Sequence, residues 1–141
     1  MLCSALGVKA FTTAGTDAKC KAAEAVYNSG GHNFTGGGGV TAINYNTMPE
    51  FNDVVLEETN GNGVDVVLDM VCGAYLHRNL ETLSVGGRLA IIGSHGGYSP
   101  TPDLSLLNLM RKRLTVGGST LRARSSKTKQ GIATELEETA W

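Results

Sequence analysis

GVDVVLDMVCGAYLHRNLETLSVGGRLAIIGSHGG, residues 63–97, holds two apolar runs separated by one helical stripe. The first run, Val64 to Met70, is almost uninterrupted, the pattern of a parallel strand covered by helices on both faces rather than a half-wet antiparallel one. Arg88 to Gly93 repeats it. Between them Leu76, Leu80 and Leu83 fall at i, i+4 and i+7, a stripe that covers a sheet, and Gly86-Gly87 is the expected end of that helix. The stretch therefore reads as a βαβ unit. In open parallel sheets ligands bind beyond the carboxyl ends of the strands, which draws attention to the tips Asp69-Met70-Val71 and Gly93-Ser94-His95.

Outward from this unit, the chain has 141 residues, 41% of them apolar, enough for one core and one domain. A net charge of −1 gives no message about partners. No run of eighteen apolar residues is present, and Met1-Leu2-Cys3-Ser4 lacks the basic and apolar regions of a secretory signal, so a cytoplasmic location and no membrane partner are expected. Cys3, Cys20 and Cys72 are an odd number at wide spacing, which fits reduced thiols better than a disulfide framework or a zinc site.

In chain order, Met1–Leu6 reads as the end of a helix closed by Gly7, followed by a strand at Val8–Thr13. Thr16 is placed to cap a helix reaching about Tyr27, with Ala22, Ala23 and Val26 as a thin apolar face. Asn28–Gly39 is half glycine and otherwise mostly polar, with neither GxGxxG nor GxxxxGKS/T, so it reads as a flexible insertion. Thr41–Tyr45 is a short strand. A helix follows from Pro49 through Phe51, Val54, Val55 and Glu58, and Asn60-Gly61-Asn62-Gly63 is a turn. After Ser99–Pro102, Asp103 is the expected cap of a helix through Leu104, Leu107 and Met110. Leu114–Thr120 is a weak last strand, and Ser126–Trp141 a closing helix. Strands and helices alternate five times, which predicts a doubly wound α/β fold with a parallel sheet.

In that order and spacing, ALGVKAFTTAGTDAKC, AINYNTMPEF, GVDVVLDMV, GGRLAIIGSHGG and LMRKRLTVGGSTLRARSS resemble the cofactor half of zinc-independent medium-chain dehydrogenases/reductases, in particular the NADPH-dependent quinone oxidoreductases. The resemblance covers nearly all of the chain except residues 27–40. It implies a Rossmann-like sheet and hydride transfer from NADPH to a quinone or enone. It also implies a homodimer formed through the last strand.

By the same resemblance, Gly15, Thr16 and Lys19 match the turn that holds the adenosine ribose and its 2′-phosphate, and Tyr45 matches a tyrosine beside that phosphate. Val71, Ile92, Gly93, Ser94 and Leu121 match segments near the nicotinamide. From the residues themselves, Thr12–Gly15 lacks the strand-tip carboxylate that takes ribose hydroxyls in an NAD site, which favours NADPH. Read without the resemblance, Lys19 is an ordinary exposed lysine, Tyr45 a strand-end aromatic, and His95 a solvent-facing loop histidine.

The family's catalytic domain, first strand and glycine-rich phosphate turn have no counterpart in these residues, and cysteine stands at position 72 where a second glycine is common. The expectation is therefore an incomplete sheet, with no catalytic residue and no metal ligand to name, in a chain inactive by itself. A competing reading rests on Arg111, Lys112, Arg113, Arg122, Arg124, Lys127 and Lys129, which have no acid among them and suggest a basic-faced binding module. Without interleaved aromatics, and in a neutral chain, a nucleic-acid partner is not expected.

Overall fold

The computed structural model describes residues 2–28, 39–100, 104 and 106–140. They divide into two compact units, residues 1–51 with 127–141, and residues 52–126. The expected insertion falls mostly on residues 29–38, and Asp103 and Trp141 are single positions of the same kind; all lie outside the described residues.

In the first unit, α1 (Leu2–Ala5) leads through Gly7 to β1 (Ala10–Ala14), α2 (Asp17–Asn28) and β2 (Val40–Asn44), and α6 (Ser126–Ala140) belongs to the same unit. Gly7 ends α1 as expected: it has φ 64°, and its N–H donates to Ser4 O at 3.1 Å. β1 and β2 pair in parallel, Ala10 against Val40 through Ala14 against Asn44. The Thr16 hydroxyl accepts the Lys19 N–H at 3.3 Å and so caps α2. The inward stripe of that helix is Cys20, Ala23 and Tyr27 rather than Ala22, Ala23 and Val26. Tyr27 fixes the register, because its hydroxyl reaches back to donate to Val8 O at 2.7 Å. Asn28 closes α2, and Gly39 O accepts the Ala10 N–H at 2.8 Å.

α3 (Phe51–Glu58) buries Phe51 and Val55, one turn apart, and starts two residues after Pro49. The second unit, which takes in α3 from Asn52, continues with β3 (Val64–Asp69), a 3-10 turn (Gly73–Tyr75), α4 (Leu76–Thr82), β4 (Leu83–Ile91), α5 (Leu107–Arg111) and β5 (Thr115–Gly118). The three strands form one parallel sheet in the order β3-β4-β5. The expected α/β fold of parallel, Rossmann-like connections is what the strands make. Among the described residues β1 has only β2 beside it and β3 only β4.

Three expectations for this unit need correction. Gly86-Gly87 does not end the helix; α4 stops at Thr82, and Leu83 opens β4 with 0% exposure. The reason is an irregular register: Leu83 pairs with Val64 and Arg88 with Val66, and the extra residues between bulge outward at Gly86, which has φ 82°. The Gly86 N–H is taken by Lys112 O at 2.7 Å, and the Lys112 ammonium donates to Glu81 O and Leu83 O, each at 2.7 Å. One lysine thus clamps the helix-to-strand junction.

The second correction concerns the apolar strand. Leu80, Leu83, Leu89 and Leu114 form a core against Val67, Leu76, Ile91 and Leu109 on one face of the sheet. Burying a leucine of this kind contributes about 1.5–3 kcal/mol. On the opposite face Val66, Leu68 and Met70 are 62%, 63% and 52% exposed, so among the described residues the continuous apolar run is covered on one side only. The expected helix from Asp103 is also shorter, beginning at Leu107.

Candidate cofactor-binding site

The sequence-derived positions fall into two groups, one in each unit. Gly15, Thr16, Lys19 and Tyr45 gather at the carboxyl end of the β1-β2 pair. Tyr45 lies in the turn just beyond β2, and its N–H continues the ladder by donating to Ala14 O at 3.0 Å. Its ring covers Gly15: a Cβ built there would lie 2.7 Å from Tyr45 Oη and 3.1 Å from Cζ, so any side chain at that position would have to push the ring aside. Asn46 secures the same loop by donating from Nδ2 to Gly15 O at 2.6 Å. Asn44 Nδ2 donates to Asp17 Oδ1 at 2.6 Å, and Asn44 Oδ1 accepts the Asn46 N–H at 3.1 Å.

The chemistry of this cluster follows from its parts. A capped helix start presents backbone N–H groups and the positive end of the helix dipole, which suits an anion. Lys19 adds a cation in that first turn, the Tyr45 hydroxyl stands over the loop, and Asp17 and Asn44 supply acceptors and donors at its rim. Asp17, Asn44 and Asn46 were not singled out from the sequence. The AGTD and INYN segments contained them, but nothing in their spacing shows that the two loops meet.

At the other group, the tips of β3 and β4 are joined by backbone bonds: Ile92 N–H to Asp69 O at 2.7 Å, His95 to Met70 at 3.1 Å, Gly96 to Val71 at 2.7 Å, and Gly73 to Gly97 at 3.0 Å. Asp69, 3% exposed, holds the turn from within, its Oδ1 accepting from Val71 N at 2.7 Å and Cys72 N at 3.0 Å. Gly93 crosses close to Met70, whose O would lie 2.9 Å from a Cβ at that position. Beside these tips is a cleft of about 490 Å³ lined by Ile91, Ile92, Gly93 and Ser94 from the β4 end, by Gly118, Ser119 and Thr120 from the β5 end, and by Tyr98. Clefts of that size hold small organic groups. Ile92, Gly93 and Ser94 are thus brought together. Val71 lies in the joined turn and Leu121 is 58% exposed, and neither is among the lining residues.

Tyr98 and Asp69 are further residues here. Asp69 was visible as a strand tip, but its burial was not; Tyr98, in a loop of glycine and serine, gave no signal. The basic series loses one member to structure, because the Lys112 ammonium is bound to two carbonyls. His95 is exposed, as expected of a loop histidine. Among the described residues no group of three or more His, Cys, Asp or Glu is placed to hold a metal ion, and no helix is long and apolar enough to cross a membrane.

The sequence model of a family described as zinc-binding dehydrogenase matches residues 1–138. Quinone oxidoreductase of Homo sapiens is 26% identical over 133 residues, 94% of this chain and 36% of that protein. A phenolphthiocerol/phthiocerol polyketide synthase component of Mycobacterium tuberculosis is 32% identical over 94 residues, 67% of this chain and 4% of that one. Among solved structures, Escherichia coli quinone oxidoreductase complexed with NADPH superimposes with a TM-score of 0.71 at 25% identity, covering 96% of this chain and 38% of that one. The nucleotide-binding subdomain of the enoylreductase domain of PpsC from Mycobacterium tuberculosis gives 0.67 at 26% identity, covering 96% and 72%. The chain thus spans about a third of the length of the quinone oxidoreductase it matches, and far less of the polyketide synthase.

Proposed function

The chain belongs to the zinc-binding dehydrogenase family, and from that premise we propose that it supplies the NADPH-binding part of an oxidoreductase reducing a quinone or another electrophilic, conjugated acceptor. The observation that carries the reading is the cluster at the β1-β2 end: a glycine packed directly beneath Tyr45, a helix capped by Thr16, and Lys19 in its first turn. That arrangement fits an adenosine ribose with a 2′-phosphate, because it offers donors and a positive charge around a loop whose backbone carries no side chain at Gly15.

NADPH, when bound, supplies the hydride. The residues of this chain bind and orient. Lys19 and the α2 start hold the 2′-phosphate, and Tyr45 walls the adenosine side. Ile92, Gly93 and Ser94 offer backbone and small side chains where a cofactor must approach closely, with Val71 and Leu121 on the flanks of that region. Asp69 keeps the turn beside it in place. The reading names no catalytic side chain and carries no zinc step through these residues. It includes a cytoplasmic location, no nucleic-acid partner, and a homodimer formed through β5, whose residues are all exposed. Residues 1–141 by themselves are expected to show no quinone-dependent NADPH oxidation.

The test is calorimetric titration of NADPH and NADH into the wild type and Lys19→Ala. Loss of a charge-assisted contact should weaken NADPH about tenfold and leave NADH nearly unchanged. Equal losses for both cofactors would remove Lys19 from the site.

A further inference from the structure

We infer that Asp17 sets how far this site prefers a phosphorylated ribose, acting against Lys19 from the same turn of α2. The inference rests on the adenosine-site reading above. Asp17 is the first residue of α2, and its carboxylate is held by Asn44 Nδ2 at 2.6 Å. Three bonds fix it relative to the proposed ribose position: this one, Asn46 Nδ2 to Gly15 O at 2.6 Å, and Tyr45 N–H to Ala14 O at 3.0 Å. Together they tie the loop after β1 to the turn after β2, so the carboxylate stands at the rim of the space that Tyr45 and Gly15 define.

Its partner is a neutral amide, which orients the carboxylate without cancelling its charge. Lys19 cannot cancel it through a helical pair either, since residues two apart on a helix do not face each other. A carboxylate is an acceptor only. It therefore suits a ribose hydroxyl, a donor, and opposes a 2′-phosphate that carries about −1.5 to −2 charge near neutral pH. Thr12–Gly15 holds no carboxylate, so the strand tip itself favours NADPH; Asp17 restores part of the opposite preference from two residues further along the chain. The site is thereby suited to both nicotinamide cofactors, with a smaller bias toward the phosphorylated one than Lys19 alone would give.

The test uses the full 141-residue chain and two probes that share the adenosine end, adenosine 2′,5′-bisphosphate and adenosine 5′-monophosphate, titrated at low salt. Asp17→Asn removes the charge but keeps a side-chain oxygen for Asn44. It should raise the affinity ratio of bisphosphate to monophosphate about three- to fivefold, the size of an exposed charge effect. Asp17→Glu should leave the ratio near the wild-type value, and the gain in Asp17→Asn should shrink as salt is added. The ratio is insensitive to any loss of helix stability, because both probes meet the same folded protein. If the wild type prefers the bisphosphate and Asp17→Asn leaves the ratio unchanged or lower, the inference is overturned while the adenosine site stands. If neither probe binds the wild type or the variants, the adenosine-site reading fails and this inference falls with it.

Discussion

Cys72 has φ 69° and ψ −125°, a conformation that glycine adopts freely and a side chain resists. The sequence marked this position as one where glycine is common, and the backbone gives the reason. Cys72→Gly should therefore stabilise the chain by about 1 kcal/mol, the strain relieved exceeding the entropy glycine adds to the unfolded state. A urea midpoint that falls would contradict this. Asp69 is the opposite case, a residue whose identity was plain and whose work was hidden. Asp69→Ala removes the acceptor for Val71 N and Cys72 N in a buried turn, and should cost about 2–4 kcal/mol, with Asp69→Asn costing less because it keeps one acceptor oxygen. Equal midpoints for Asp69→Asn and Asp69→Ala would mean those two bonds do not hold the turn. Lys112 was grouped with solvated basic residues because sequence shows charge but not where a flexible stem ends. Its contacts with Glu81 O and Leu83 O are long-range, made across about thirty residues of sequence.

The strands and helices themselves were largely legible. Each of the five expected strands has an observed counterpart, though β4 begins at Leu83 rather than Arg88 and β1 at Ala10 rather than Val8, and Gly7, Thr16 and the Asn60–Gly63 turn act as read. What failed was local arbitration. Leu83 fits a helical stripe and a strand start equally well, and the choice was made by pairing with Val64 and by the clamp from Lys112, both tertiary. The two faces of β3 were also indistinguishable, because an apolar run does not record which side is covered. The difference is measurable. Leu89→Ala, on β4 beside Val67 and on the covered face of the sheet, should lower stability by about 2–5 kcal/mol. Leu68→Thr, on the exposed face, should change it by only about 0.5 kcal/mol and reduce concentration-dependent association, as an exposed apolar strand face invites contact. Similar losses from both substitutions would show that the face bearing Val66, Leu68 and Met70 is buried in solution.

At the scale of the whole molecule, the sequence carried the family and the α/β class, because five soft segments in the right order are jointly specific. The site was legible only as two sets of residues. The contacts of Tyr45 with Gly15 and of Asn44 with Asp17 join segments about thirty residues apart, and no spacing rule reports them. The central claim is that the loop after β1, the start of α2 and the turn after β2 hold the phosphorylated adenosine end of NADPH. The most direct measurement is an NADPH titration of the 141-residue chain followed by backbone amide NMR. The account predicts that the largest shifts fall on Gly15, Thr16, Lys19 and Tyr45 and that NADH moves them less. Saturable binding of NADPH that leaves these four amides unmoved, or that NADH reproduces in full, would contradict it.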